Sequence, residues 1–153
     1  MTWKGAEPDK GASAWYLRRF VRHDVRFREV ENGLLDLGAG NPFDVPQAQF
    51  RRTHQLSVYE QIARAYPVDD PIASKLGNII HDIEINLWRP KKYPESNVIE
   101  TAALEYAKSR VDGAIPISCY VEWFELIYSK LGKDGTLDVA PEFPRECGAK
   151  TPN

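Results

Sequence analysis

The stretch Asp69-Asp70-Pro71-Ile72-Ala73-Ser74-Lys75-Leu76-Gly77-Asn78-Ile79-Ile80-His81-Asp82-Ile83-Glu84-Ile85-Asn86-Leu87-Trp88 decides the fold class. Asp70 is a side-chain acceptor for a helix N-terminus, and Pro71 suits the first helical position, where no backbone N–H is needed. On a wheel of about 100° per residue, Leu76, Ile79, Ile80, Ile83 and Leu87 share one apolar arc that should face a core. Gly77, His81, Glu84 and Trp88 form a second stripe beside it, while Asp82 points away towards Asn78 and Asn86. The spacing predicts an amphipathic helix over 71–88, ending before Pro90.

The same periodicity recurs on both sides. Residues 14–21 are short and apolar-aromatic with Arg18 and Arg19 inside, and read as a helix with Ser13 as its N-cap. Residues 25–30 alternate apolar and polar, which suits a short strand. Residues 33–46 hold Gly33, Gly38, Gly40, Asn41, Pro42 and Pro46 and read as a loop. Residues 57–66 have Val58, Ile62 and Ala65 on one side with Tyr59, Ala63 and Tyr66 beside them, and Pro67 stops that helix. Further helices are expected over 96–111, with Gly113 after it, and over 116–131, ending at Gly132. In the last of these Trp123, Phe124, Ile127 and Leu131 read as core. The fold class is therefore mainly α: a single compact domain of four to five helices with a short extended segment and long loops. Residues 1–10 read as a flexible arm, 11–135 as the helical domain and 136–153 as a polar, Pro-rich tail.

Bulk properties narrow the function. The chain has 153 residues, 42% hydrophobic and 27% charged, with a net charge of −2. Four Trp, seven Tyr and six Phe supply bulky surface for one core. A slightly acidic chain argues against nucleic-acid binding driven by charge. No apolar run is long enough to cross a bilayer, so no membrane partner is expected. The polar N-terminus lacks a signal-peptide core, which points to a cytoplasmic protein. Two cysteines make neither a disulfide framework nor a four-thiolate zinc site. Cys119, in an apolar stretch, reads as a small buried hydrophobe, and Cys147, in the tail, as a free thiol. Nucleophile elbow, phosphate loop and dinucleotide fingerprint are all lacking; Gly38-Ala39-Gly40-Asn41-Pro42 is too short and Pro-broken to count.

His81 and Glu84, three apart on a helix, can aim at one point, as Glu/His pairs do in carboxylate-bridged metal sites of helical bundles. Two ligands do not hold a metal tightly. His54, ahead of the 57–66 helix, and Glu60, one turn inside it, are the expected third and fourth. Asp82 and Trp88 are expected beside that site as supporting residues, Asp82 alternatively facing solvent. The implied cofactor is a divalent transition metal: iron, zinc or manganese. The plainer reading of His81 and Glu84 is a surface hydrogen-bonded pair. Arg18 and Arg19 read either as a solvated face or as a clamp for an anion, since guanidinium binds oxyanions in bidentate fashion. His23 reads as a loop histidine.

Several segments then carry a family resemblance. Ala12-Ser13-Ala14-Trp15-Tyr16-Leu17-Arg18-Arg19-Phe20-Val21 resembles a signature segment of bacterial chromate-resistance proteins, the ChrB-type domain. Pro42-Phe43-Asp44-Val45-Pro46 with Gln49-Phe50, Thr53-His54 with Val58-Tyr59-Glu60, and Asp69-Asp70-Pro71 with Leu76 to Glu84 resemble its later segments in order and spacing. The likeness runs from about residue 9 to 131. Many members carry further His and Cys before the Glu60 helix; here Arg51 to Ser57 hold one His and no Cys, so His54 is the residue that transfers. Full-length regulators of the family carry an additional N-terminal region for which this chain has no room. Carried over are Arg18, Arg19, His54, Glu60, His81, Asp82 and Glu84. The resemblance implies a link with chromate tolerance rather than a defined reaction. Three functions are weighed. The first is a metal-binding protein or metalloenzyme acting on a small anion or small-molecule substrate. The second is a non-catalytic oxyanion sensor or accessory module. The third, a DNA-binding regulator, is disfavoured by charge and by the lack of a helix-turn-helix signature. A homodimer is compatible with all three.

Overall fold

Helix α3 (Pro71–Glu84) begins as its sequence requires. The Asp70 carboxylate accepts from the N–H groups of Ile72 and Ala73 at 2.9 and 3.0 Å, and Pro71 opens the helix. Its arc of Leu76, Ile79, Ile80 and Ile83 is buried, and the helix touches all four others. It stops at Glu84 rather than near Trp88. Lys91 Nζ reaches back to the carbonyls of Asp82, Ile83 and Asn86 at 2.9, 3.3 and 3.1 Å and satisfies acceptors of the last turn. Leu87, expected in the core, is therefore 61% exposed, and Trp88 is 95% exposed. The computed structural model describes residues 2–3, 5, 7–31, 33, 40–46, 48–145 and 147. Residues 34–39 of the expected loop, Gly38 among them, and the last six residues lie outside them.

Among the described residues the architecture is mainly α. Helix α1 (Pro8–Tyr16) starts inside the stretch expected to be a loose arm, with Pro8 opening it and Asp9 and Lys10 already buried. Ser13 is not an N-cap. It lies mid-helix and its hydroxyl donates to Asp9 Oδ1 at 3.2 Å. A π-helical turn (Leu17–Val21) continues α1 and closes with Arg22 N–H on Leu17 O at 2.7 Å. Strand β1 (Thr2–Trp3) pairs in parallel with β2 (Glu29–Val30), Thr2 opposite Glu29. So only the end of the 25–30 alternation becomes strand, because its partner is equally short.

Helix α2 (Val58–Ala65) opens with a reciprocal cap between Ser57 and Glu60; Val58, Tyr59 and Ile62 are buried, but Ala65 faces out. Helix α4 spans Pro94–Lys108 and α5 spans Ile117–Asp134. Helix α5 passes through Gly132 and ends instead at Gly135, whose φ of 76° suits glycine and whose N–H bonds Leu131 O at 2.9 Å. Trp15, Tyr16, Tyr59, Trp123 and Phe124 fill the core between α1, α2 and α5.

Residues 137–145 and Cys147 fold back over this core. Leu137 is buried, and Phe143 lies between the rings of Tyr106 and Trp123. Cys147 is not free: it is disulfide-bonded to the buried Cys119 of α5, their Cα atoms 4.8 Å apart. Nothing near either cysteine in the sequence signals this pairing; the fold-back of the chain after α5 creates it.

Candidate functional site

The N-terminus of α2 faces the last turns of α3, and this juxtaposition builds a His/Glu pair. Glu60 sits three residues into α2, where a capping glutamate turns back on its own helix start. Its Oε1 accepts from Ser57 N–H at 3.0 Å and Ser57 hydroxyl at 3.1 Å, which fixes the carboxylate in place. The same oxygen meets His81 Nδ1 at 2.6 Å. A carboxylate on Nδ1 fixes the ring's orientation and leaves Nε2 for another partner. His81 lines an open cleft of about 340 Å³ together with Asn78, Asp82, Asn86, Arg89, Lys92 and Tyr93. The cationic pair Arg89 and Lys92 escaped the sequence reading. The basic run Arg89-Pro90-Lys91-Lys92 after α3 was the available signal.

Asp82 belongs to the wall of this cleft but not to its chemistry. It is buried rather than solvent-facing, and its oxygens accept from Ser96 hydroxyl at 2.6 Å, Asn86 Nδ2 at 2.8 Å and Tyr93 N–H at 3.1 Å. It thereby ties α3 to the start of α4. Trp88 stands in solvent and supports nothing in this region.

Glu84 turns the other way. Its Oε1 accepts Asp9 N–H at 3.3 Å, at the start of α1, and its Oε2 meets Arg52 Nη1 at 3.0 Å. Asp9 in turn accepts the N–H groups of Val58 and Tyr59 at 2.8 and 2.9 Å, so one buried carboxylate caps α2 and another caps α1. With the partly buried Asp44 these form an acidic group beside Lys10 and Arg52. Burial, then the charge of Asp44, pushes Asp9 up to about 7 against its N–H donors. Burial, then Asp9, pushes Glu84 up to about 7 against the Asp9 N–H and Arg52. Burial outweighs Lys10 at Asp44 and raises it to about 6. No local pattern announces this group, because its members are distant along the chain.

The four expected metal ligands are thus brought together only in part. Glu60 and His81 touch, Glu84 is committed to α1 and Arg52, and His54 is exposed in the bend before α2. Among the described residues no three His, Cys, Asp or Glu side chains are placed to hold a metal ion, so this donor set does not fit a divalent metal as it stands. Arg18 and Arg19 occupy the π turn, a local distortion that often marks functional positions. They line a second cleft of about 510 Å³ with Trp15, Phe20, His23, Val121 and Glu125. Arg19 is already paired with Glu125 at 2.7 Å and stacked over Tyr128, so Arg18 is the more available of the two.

The segments that carried the family resemblance, 12–21, 42–60 and 69–84, all lie on α1, α2, α3 and the loop between them. The family model "ChrB, C-terminal domain" matches residues 1–131. The chain belongs to that family. No curated protein and no solved structure matches it. Membership in the ChrB C-terminal family ties the chain to chromate resistance. The match contains the Glu60–His81 pair, the acidic group and the π turn, and it ends at Leu131, before the strap that carries Cys147. No described helix of this ChrB-type domain is long and apolar enough to cross a membrane.

Proposed function

We propose that this ChrB-type domain binds a small tetrahedral oxyanion of the chromate kind at the cleft beside His81, without performing chemistry on it. The observation that carries the reading is the 2.6 Å contact of Glu60 with His81 Nδ1 in a cleft also lined by Arg89 and Lys92. The carboxylate holds the ring so that Nε2 is the nitrogen left to donate to an anion when the imidazole is protonated. Arg89 offers a planar fork for two oxyanion oxygens, and Lys92 a point charge. The charge of Asp82 is taken up by its own donors, so it opposes the anion weakly.

Calorimetric titration with potassium chromate at one fixed pH tests this. Binding should weaken by about tenfold or more in His81→Ala and in the Arg89→Gln, Lys92→Gln pair, and stay unchanged in Arg18→Gln. Loss in Arg18→Gln with His81→Ala intact moves the site to the π turn and overturns the reading. Binding seen only after iron, zinc or manganese is added replaces it with a metal-centred site.

A further inference from the structure

Residues 137–145 and Cys147 form a strap across α4 and α5, held in two ways. One is non-covalent. Phe143 stacks on Tyr106 and Trp123 at ring distances of 4.0 and 4.1 Å, Trp123 Nε1–H donates to Pro141 O at 2.7 Å, and Lys130 Nζ donates to Val139 O at 3.2 Å. The other is the Cys119–Cys147 disulfide. Its two sulfurs differ in access. Cys119 is fully buried on α5, whereas Cys147 is only partly buried. The Tyr106 hydroxyl lies 3.5 Å from Cys147 Sγ and accepts from Arg110 Nη1 at 3.1 Å.

We propose that Cys119 and Cys147 are a redox-active pair, a reversible latch on the strap whose substrate class is a solvent-borne dithiol. A thiolate of the dithiol attacks the accessible Cys147 Sγ. The S–S bond breaks, and its electron pair goes to Cys119 Sγ, which takes a proton. The second thiol of the dithiol, as thiolate, then attacks its partner sulfur in the mixed disulfide. A cyclic disulfide leaves, and Cys147 is released as a thiolate that is protonated in turn. Two electrons and two protons pass from dithiol to protein, and the reverse path closes the latch. Exchange begins at Cys147 because the attacking sulfur must reach its target along the S–S axis, which the core blocks at Cys119. The Tyr106 hydroxyl, polarised by Arg110, is placed to donate to the Cys147 thiolate and ease its departure. The ring sandwich gives the reduced strap a place to rest, so opening needs no unfolding of the helices. The latch is separate from the anion cleft and does not depend on that reading.

The full chain, purified in air, is treated with dithiothreitol without denaturant. After the reductant is removed, free thiols are counted with a chromogenic disulfide in denaturant, and backbone hydrogen exchange is followed by mass spectrometry on the native protein. Without reductant no thiol should titrate; after it both cysteines should, and exchange over 137–147 should rise by about tenfold or more while α3 is unchanged. Oxidised dithiothreitol should restore both readings. Cys147→Ser, which leaves α5 intact, should show the open pattern without reductant. Tyr106→Phe should slow reduction several-fold while leaving the thiol count the same. Free thiols in the untreated protein, reduction only in denaturant, loss of α3 protection on reduction, or unaltered exchange in the strap would each overturn the proposal.

Discussion

Asp82 has the chemistry of a metal ligand or a base, and structure consumes it. Burial alone would raise its pKa, but the Ser96 hydroxyl, the Asn86 amide and the N–H groups of Lys92 and Tyr93 outweigh burial and hold it at about 2. A carboxyl held below its unfolded value adds stability above pH of about 3.8 and loses it as pH falls towards 2. Removing the acceptor strands Ser96 and the Tyr93 N–H at the start of α4. Asp82→Ala should therefore destabilise the fold by about 3 kcal/mol at neutral pH, read from denaturant midpoints. A loss of under about 1 kcal/mol would show that α4 does not depend on this carboxylate. Why the sequence misled here is physical. The wheel placed Asp82 off the apolar arc correctly, but a wheel shows only one helix. The polar side of α3 is covered by the turn into α4, which Lys91 and Asn86 draw in.

Two glycines show how the same substitution changes sign with the packing of an element. Alanine in a helix interior is ordinarily better than glycine by about 1 kcal/mol. At Gly132, inside α5, a Cβ would meet only Ile72 Cγ1 at 3.9 Å, so Gly132→Ala should gain about 0.5–1 kcal/mol. At Gly11, where α1 crosses α5, a Cβ would lie 2.3 Å from Tyr120 Cγ. Tyr120 is itself locked between Trp123 and Phe124, so it has nowhere to move. Gly11→Ala should cost about 3 kcal/mol or more, outweighing the propensity gain. Equal shifts of the two midpoints would remove the claim that α1 and α5 touch backbone to ring. Helix starts were legible because their rules are local: Asp70 with Pro71, and Ser57 with Glu60, announce α3 and α2 within four residues. Helix ends were harder to read. Lys91, a residue beyond the helix, satisfies the last carbonyls of α3, and of two glycines three residues apart it is Gly135, with a left-handed φ, that closes α5, while Gly132 stays helical. The candidate site divides the same way. His81 was legible from its helix spacing and Glu60 from its place one turn into α2, whereas Arg89, Lys92 and the Glu84–Asp9 contact depend on how distant elements dock.

For the molecule as a whole, the acidic group sets the direction in which stability changes with pH. Asp9, Asp44 and Glu84 come from α1, the loop before α2 and the end of α3, so no partial structure brings them together. All three are raised in the folded state, Asp9 from 3.8 to about 7, Asp44 to about 6 and Glu84 to about 7. A raised carboxyl binds its proton more tightly folded than unfolded. Its contribution is complete below the unfolded value and is lost as pH rises through the folded one. The opposing groups, Asp82 and Asp70, are lowered and act only below pH of about 4. Between about pH 4 and about pH 7 the acidic group therefore has no carboxylate opponent, and stability should fall steadily across that window. Asp9 alone, fully buried, contributes on the order of 4 kcal/mol to the drop. Roughly two-thirds of it, about 3 kcal/mol, falls between pH 5 and pH 8, or roughly 8 °C in Tm for a chain of this size. Asp9→Asn removes the titrating proton but keeps one acceptor oxygen where Asp9 uses two, Oδ2 for the Val58 N–H and Oδ1 for the Tyr59 N–H. It should lower Tm at pH 5 relative to the parent and flatten the fall between pH 5 and pH 8. Calorimetric scans of both proteins across that range decide the point. A parent Tm that is level or rising from pH 5 to pH 8 would mean that Lys10 and Arg52 neutralise the group and that the three carboxyls are ionised in the folded protein.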